Sequence, residues 1–243
     1  MSGSLDRPWA GEPLEGVMFD FHSTLVDQGD AGRWLADAWA RLGRSGAPGD
    51  PVATRGLGAE AATELTAYLH RIWEHSRTYD PDNRRDYDTA THRRVWDETM
   101  AGQPYGDPEL FDALYASMLD QWEPYDDTLP VLGALRKAGV RTVVLSNVGV
   151  DLTPVLERTG IFAAVDGVVM SYRVGHAKPD PEIFEHALEV LGVPAERALM
   201  VGDSWRDDAG AGEVGIRTLV LPRTFTPSHG LGLVLRMVGC PDV

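Results

Sequence analysis

The feature that most constrains the fold is a short apolar run, Val17 to Phe21, far from the other predicted strands. It is typical of a buried strand that ends in an acidic residue, Asp20. From Asp127 to Leu221, strands and helices alternate, which is typical of a parallel sheet covered by helices. Because a lone strand has no pairing partner, we expect the first run to join that sheet. The predicted fold is therefore α/β, a doubly wound parallel sheet.

Alternating patterns define the remaining elements of this sheet. We predict strands at 141–145, 167–170, 198–201 and 217–221, and helices at 129–138, 152–159, 181–191 and 207–213. The strands are rich in Val, Leu and Met, and Gly139 follows the first of these helices in the position favoured by a left-handed residue.

The residues between the first strand and Trp122 have a helical pattern. Apolar residues recur at helical spacing in four stretches, and the block contains five of the seven tryptophans. A Gly/Pro-rich loop, Gly43 to Gly58, separates the first two stretches. We predict an inserted all-helical domain at 28–122 and a core domain formed by 1–27 and 123–243.

Composition excludes several classes of protein. A net charge of -15 argues against nucleic acid or an anionic membrane as the main partner. Cys240 has no second cysteine to pair with, so no disulfide forms within the chain. Neither a membrane-spanning run nor a signal-peptide pattern is present, and we expect a cytoplasmic protein.

Chemistry is expected where the strands end, because ligands of open parallel sheets bind beyond the carboxyl ends of the strands. Carboxylates, small hydroxyls and one of only two lysines follow four of these ends, whereas the last strand, ending in Leu221-Pro222, offers no candidate. The candidates are Asp20, His22, Ser23 and Thr24; Ser146 and Asn147; Lys178; and Asp203, Ser204, Asp207 and Asp208.

Grouped carboxylates repel one another unless a cation lies between them, and oxygen ligands suit Mg²⁺. Mg²⁺ and Lys178 beside Asp20 would neutralise a phosphate dianion and let a carboxylate approach phosphorus. The Ser146 hydroxyl and the backbone amides after Asp20 would hold the remaining phosphate oxygens.

This pattern resembles the haloacid dehalogenase (HAD) superfamily over roughly the whole core. The family's first motif corresponds to Asp20-Phe21-His22-Ser23-Thr24-Leu25, and its second to Ser146-Asn147. Its third corresponds to Lys178-Pro179, and its fourth to Gly202-Asp203-Ser204 followed by Asp208. The helical block is similar in position to the family's helical cap inserted after the first motif.

The resemblance implies a phosphatase-like hydrolase in which Asp20 is the nucleophile and forms an aspartyl-phosphate. It implies a Mg²⁺ site formed by Asp20, the backbone carbonyl of His22 and Asp203. Asp208 would support the metal site or Lys178, and Asp207 is the alternative to Asp208.

The same resemblance implies that Thr24, Ser146, Asn147 and Lys178 bind the phosphate. The expected substrate is a small phosphorylated metabolite, and the expected assembly is a monomer or a homodimer.

One position departs from the family pattern. Its phosphatases usually have a second Asp two residues after the nucleophile, where this chain has His22. An imidazole can serve as both acid and base near neutral pH. A nearby metal favours neutral His22, whereas acidic surroundings oppose that shift. His22 is thus either the acid/base or a spectator.

Two rival functions remain. One is carbon–halogen cleavage at the same Asp20, for which the family's enzymes need no metal and lack the Gly-Asp-Ser motif. The other is a non-catalytic member that binds a metabolite or a partner after losing its acid/base at His22.

Other polar residues have simpler explanations. We predict a solvated helix face for the basic runs 84–85 and 92–94, with the alternative that one of their arginines contacts the substrate. We predict surface positions for the histidines without ligand spacing: His70, His75, His176, His186 and His229.

Overall fold

The computed structural model describes residues 12–44 and 57–240. The chain forms two compact units. The core unit comprises Met1–Asp27 and Pro124–Val243, and the helical unit comprises Gln28–Glu123. The predicted loop 43–58 lies mostly outside the described residues.

The core unit is built on a five-stranded parallel sheet, so the predicted α/β fold is confirmed. Its strand order is β5-β4-β1-β6-β7, so the first strand joins this sheet as predicted and lies at its centre. The strands are β1 (Gly16–Phe19), β4 (Arg141–Ser146), β5 (Gly167–Met170), β6 (Ala198–Gly202) and β7 (Arg217–Val220). Two short strands, β2 (Val26–Asp27) and β3 (Glu123–Pro124), lie where the chain leaves and re-enters this unit.

The register of the sheet aligns the ends of its central strands. Phe19 pairs with Val144 of β4 and with Val201 of β6. All four residues of β1 are buried, as expected of a central parallel strand covered on both faces. The residues that directly follow β1 and β6 therefore emerge side by side at one edge.

Helices cover this sheet and alternate with its strands. They are α6 (Thr128–Lys137), α7 (Thr153–Arg158), α8 (Ile161–Ala164), α9 (Ser171–Val174), α10 (Pro181–Leu191) and α11 (Gly232–Val238), with 3-10 turns at Ala195–Arg197 and Asp208–Val214. Helix α10 packs Ile183, Phe184 and Ala187 against Met18 and Met200 of the sheet. The helix predicted at 207–213 is a 3-10 segment, in a stretch where Gly210 and Gly212 weaken an α-helix.

The helical unit contains the predicted helical stretches. They are α1 (Ala31–Arg41), α2 (Ala59–His70), α3 (Ile72–Ser76), α4 (Thr89–Ala101) and α5 (Pro108–Ser117), with 3-10 turns at Arg84–Asp86 and Met118–Gln121. Asp30, Asp88 and Asp107 cap α1, α4 and α5, because each carboxylate accepts a backbone N–H from the first helical turn. Among the described residues, no helix is long and apolar enough to cross a membrane.

Three surface predictions are wrong. Arg84 and Arg94 are exposed as predicted, but Arg85 and His92 are buried. Arg85 pairs with the buried Asp80, and the His92 ring lies 3.0 Å from the Tyr115 hydroxyl of α5. His229, also predicted at the surface, is only 8% exposed and packs its ring against Tyr125. The Asp80 carboxylate makes the burial of Arg85 possible. Partners distant in sequence, Tyr115 and Tyr125, do the same for His92 and His229.

Candidate active site

Asp20 is the first residue after the central strand β1, and its side chain is buried. Its backbone N–H donates to the carbonyl of Val201 at 2.8 Å, which continues the β1–β6 pairing by one residue. The chain then turns sharply: the N–H of Leu25 donates to the carbonyl of Phe21, and Ser23 has a positive φ of 68°. This turn brings the Thr24 hydroxyl to 3.1 Å from Asp20 Oδ2, to which it donates.

Lys178 links the carboxylates that follow β1 and β6. Its Nζ lies 2.7 Å from Asp20 Oδ1 and 2.6 Å from Asp208 Oδ1. The lysine is 5% exposed, so these two ion pairs are shielded from water. The structure thus brings together Asp20, Thr24, Lys178 and Asp208, four residues that the sequence singled out.

Asn147 holds the backbone of Lys178 rather than presenting a free amide to a ligand. The N–H of Lys178 donates to Asn147 Oδ1 at 2.7 Å, and Asn147 Nδ2 donates to the Lys178 carbonyl at 2.8 Å. These contacts favour a positioning role for Asn147 over the phosphate-binding role predicted for it. Ser146, the last residue of β4, is buried at the same sheet edge.

The contacts of Asp208 favour one of its two predicted roles. Its Oδ1 accepts from Lys178, and its Oδ2 accepts the backbone N–H of Ser204 at 2.9 Å. With both oxygens engaged, these contacts favour support of Lys178 over support of the metal site. Asp207 instead accepts a hydrogen bond from the Ser204 hydroxyl at 2.6 Å.

Gly202 is required by this packing. A Cβ atom placed on Gly202 would lie 2.0 Å from Asp208 Oδ2, far inside van der Waals contact. The glycine before Asp203 therefore gives the Asp208 carboxylate room beside the end of β6.

The site holds more negative than positive charge. Burial raises the pKa of Asp20 to about 7, with contributions from Asp208 and Asp203 and opposition from Lys178. Burial and the charge of Asp208 raise the pKa of Asp203 to about 6. The two carboxylates that contact Lys178 outweigh the effect of burial and raise its pKa, so the lysine is charged. Three carboxylates and one ammonium group favour the binding of a further cation.

A magnesium ion fits these residues by chemistry. Asp20 and Asp203 supply carboxylate oxygens, and the carbonyl of His22 lies in the turn after Asp20. Across the described residues, no three His, Cys, Asp or Glu side chains gather as a metal site. Mg²⁺ does not need such a group, because it keeps several water ligands and binds through one or two carboxylates.

His22 has a different electrostatic environment from the one predicted. Burial and the positive charge of Arg223 lower its pKa to about 3. Of the two opposing influences expected on its pKa, the acidic surroundings do not act on His22, and burial followed by the charge of Arg223 favours the neutral ring. The His22 ring is therefore neutral at neutral pH, with Nδ1 3.4 Å from the Ser23 hydroxyl.

Arg223 is the residue that the sequence reasoning missed. It follows β7, whose end Leu221-Pro222 offered no candidate, and its charge influences His22 and Asp203. The expectation that ligand-binding residues follow the carboxyl ends of the strands would have included Arg223 if it had been applied two residues beyond Leu221.

A carboxylate paired with a lysine and a threonine at the carboxyl edge of a parallel sheet defines an α/β enzyme with an acidic catalytic centre. The family model for haloacid dehalogenase-like hydrolases matches residues 14–215. The chain belongs to this family and is a hydrolase.

Relatives and solved structures agree with this assignment. The phosphoglycolate phosphatase of Rhodospirillum rubrum is 31% identical over 222 residues, which cover 89% of this chain and 83% of that protein. The chain spans about half the length of two other curated relatives, 59% of one and 44% of the other.

Two solved structures share the fold. A HAD phosphatase from Thermococcus onnurineus has a TM-score of 0.59 at 21% identity, covering 95% of this chain and all of that one. A 2-haloacid dehalogenase from Pseudomonas syringae pv. Tomato has a TM-score of 0.55 at 26% identity, covering 85% and 86%.

Proposed function

We propose that this hydrolase cleaves small phosphate monoesters in a Mg²⁺-dependent reaction through an aspartyl-phosphate at Asp20. The observation that carries the proposal is the pairing of Asp20 with the buried ammonium group of Lys178 at 2.7 Å. A relative named as a phosphoglycolate phosphatase, similar over 89% of this chain, supports the substrate class.

The side chains and backbone amides of the candidate active site have separate tasks in this reaction. An Asp20 oxygen forms a bond to phosphorus as the bond from phosphorus to the leaving oxygen breaks, and the leaving oxygen takes its proton from a water molecule. Lys178 lowers the pKa of Asp20 against the effect of burial, which favours the ionised nucleophile, and it neutralises charge on the phosphoryl oxygens. The Ser146 hydroxyl and the amides after Asp20 hold those oxygens. Water then attacks phosphorus, which releases phosphate and regenerates Asp20.

Asp20, Asp203 and the His22 carbonyl would hold Mg²⁺, which when bound neutralises negative charge on the carboxylates and the phosphate. Thr24 orients Asp20 through its hydrogen bond. Asp208 and Asn147 position Lys178 through its ammonium group and its backbone.

The helical unit has a separate role in the proposal. We assign residues 28–122 as a cap domain that selects the substrate and excludes bulk water during the reaction. The core domain then comprises 1–27 and 123–243.

Carbon–halogen cleavage at Asp20 is the second candidate, favoured by the dehalogenase fold match. Asp203 weighs against it, since a metal-free reaction has no use for a further half-buried carboxylate beside Asp20. A non-catalytic role is disfavoured by the placement of Asp20, Lys178 and Asp208, which come from different strand ends and meet at the edge of the sheet where ligands bind.

The test is phosphate release from a panel of phosphate esters, with Mg²⁺ and with a chelator. We expect Mg²⁺-dependent turnover that falls by at least about a thousandfold in Asp20→Asn, because the amide is a poor nucleophile. Asp82→Asn, an exposed aspartate of the helical unit, is the matched control. Turnover that survives chelation, or chloride release from 2-chloropropionate, would contradict the proposal.

A further inference from the structure

The segment after β7 brings a positive charge to the same sheet edge as the candidate active site. The N–H of Leu221 donates to the carbonyl of Gly202 at 2.9 Å, so this segment leaves the sheet beside Asp203. Arg223 follows two residues later. It is therefore placed next to the end of β6 by the pairing of the strands.

Hydrogen bonds hold the loop 222–231 in place. The Tyr125 hydroxyl donates to the carbonyl of Thr224 at 3.2 Å. The Asp127 carboxylate accepts the backbone N–H groups of 229, 230 and 231 at 2.7 to 3.0 Å.

The same anchor holds the turn after Asp20. The Thr128 hydroxyl and the Tyr125 N–H both donate to the carbonyl of Leu25, at 2.7 and 3.2 Å. The loop of Arg223 and the turn of the nucleophile are thus fixed by one segment, 125–128. Arg223 has a defined position relative to Asp20 through this shared anchor.

The guanidinium group of Arg223 has hydrogen-bonding capacity left for a ligand. Its Nη2 lies 3.5 Å from Asp27 Oδ1, a long contact, and the group lies over the Phe225 ring at 5.0 Å. Its Nε atom is buried and has no hydrogen-bond partner among the described residues. A guanidinium presents five N–H donors in a fixed fork, and a buried donor without a partner is unfavourable.

The strand order of the sheet indicates which part of the substrate the guanidinium group of Arg223 would contact. Ser146 and Lys178 follow β4 and β5, on one side of Asp20. Arg223 follows β7, on the other side of Asp20. In the proposed function the Ser146 hydroxyl and the Lys178 ammonium group bind the phosphoryl oxygens from the first side. Arg223, beyond the Mg²⁺ ligand Asp203 on the other side, is then left to meet the remainder of the ester.

We propose that Arg223 is a specificity-determining residue that binds a carboxylate on the leaving-group part of the substrate. A carboxylate has two coplanar oxygens that match the guanidinium fork in a bidentate pair. The inference rests on the proposed phosphatase function and narrows it to phosphorylated carboxylic acids.

The experiment compares two esters of similar size, 2-phosphoglycolate, which has a carboxylate, and ethyl phosphate, which does not. We expect the wild type to prefer 2-phosphoglycolate. Arg223→Gln lowers kcat/KM for that ester by about 10- to 100-fold, the usual effect of losing a hydrogen bond to a charged group. It changes kcat/KM for ethyl phosphate by less than about threefold, and Arg223→Lys is intermediate for 2-phosphoglycolate because it keeps the charge but loses the fork.

Arg136→Gln, an exposed arginine at the end of α6, is the matched control and changes neither rate. If Arg223→Gln lowers kcat/KM equally for both esters, Arg223 acts only through its contact with Asp27. That result would overturn the inference but not the phosphatase proposal. A wild type without preference for 2-phosphoglycolate would also overturn it. A wild type inert toward both esters would overturn the phosphatase proposal and the inference with it.

Discussion

The core unit and the helical unit each bury an ion pair between an aspartate and a basic residue, but they satisfy it differently. In the helical unit, Asp80 accepts the backbone N–H groups of Arg84 and Arg85 at 2.7 and 3.0 Å, and its Oδ2 also lies 3.2 Å from the Arg85 guanidinium. All of these donors lie within five residues of Asp80. The aspartate closes a local turn, and the guanidinium group that pairs with it also lies 3.8 Å from the carboxylate of the adjacent Asp86.

In the core unit, the partners are distant in sequence and their charges do not balance. Lys178 lies 158 residues from Asp20 and 30 from Asp208. One ammonium group faces two carboxylates, with Asp203 as a third negative charge that raises the pKa of Asp20. Burial of charge therefore does not by itself mark a functional site. The feature that distinguishes this cluster is that its carboxylates come from separate strand ends, far apart in sequence, and meet at one buried ammonium group.

The largest effect is expected from removing the buried ammonium group of Lys178 from the core unit. In Lys178→Met we expect kcat for phosphate ester hydrolysis to fall by about a hundredfold to a thousandfold, because the phosphoryl oxygens lose their neutralising charge. The measurement is phosphate release, with circular dichroism to establish folding. Lys137→Met, the other lysine and exposed at the end of α6, is the control. A folded Lys178→Met variant with full activity would show that the buried ion pairs of the core unit, like the Asp80–Arg85 pair, have only a structural role.

The corresponding change in the helical unit is Asp80→Ala. It removes the acceptor of two backbone N–H groups and leaves Arg85 buried without its main partner, so we expect the free energy of unfolding to fall by about 3 kcal/mol. Urea denaturation followed by tryptophan fluorescence measures the loss. Asp82→Asn, exposed on the same turn, should stay within about 0.5 kcal/mol of the wild type. A loss no larger than that of the control would show that the Asp80 turn contributes nothing to stability.

A smaller effect comes from His92, which shares this buried region. Burial and the charge of Arg85 lower its pKa from 6.5 to about 4, against the opposing charge of Asp80. Between these pH values the unfolded chain binds a proton that the folded chain does not. Stability contributed by neutral His92 is therefore complete above pH 6.5 and is lost as the pH falls. From pH 7 to pH 5 we expect a loss of about 2 kcal/mol from this residue.

The measurement is the difference in unfolding free energy between wild type and His92→Gln at both pH values, since other groups titrate in both proteins alike. The wild type should lose about 2 kcal/mol more than the variant. An equal loss would mean that His92 is accessible to protons in the folded state.

Much of the core unit could be predicted because its signals are local. Strand 167–170 and helix 181–191 have the bounds that the sequence indicated, and alternation of strands and helices required a parallel sheet. The candidate residues at the strand ends followed from the sheet alone, since the topology brings Asp20 and Lys178 to one edge whatever their separation in sequence.

The remaining features depend on contacts that no pattern reports. A run such as His92-Arg93-Arg94 is equally compatible with a solvated face and with one buried residue, and the hydroxyl of Tyr115 on another helix decides between them. Asn147 is at a position suited to a ligand, but its amide is engaged by the Lys178 backbone. Arg223 was missed for a different reason, because it lies two residues beyond the predicted end of the last strand, Leu221.

The hydrogen bonds of Asp127 have a consequence for how a ligand would bind. They fix the loop 222–231 when the chain folds. An anion that reaches Arg223 therefore meets donors already in place, and little conformational entropy is lost on association. Selectivity at this position would be expressed in the enthalpy of binding, and the loop would need no closing motion before the substrate is recognised.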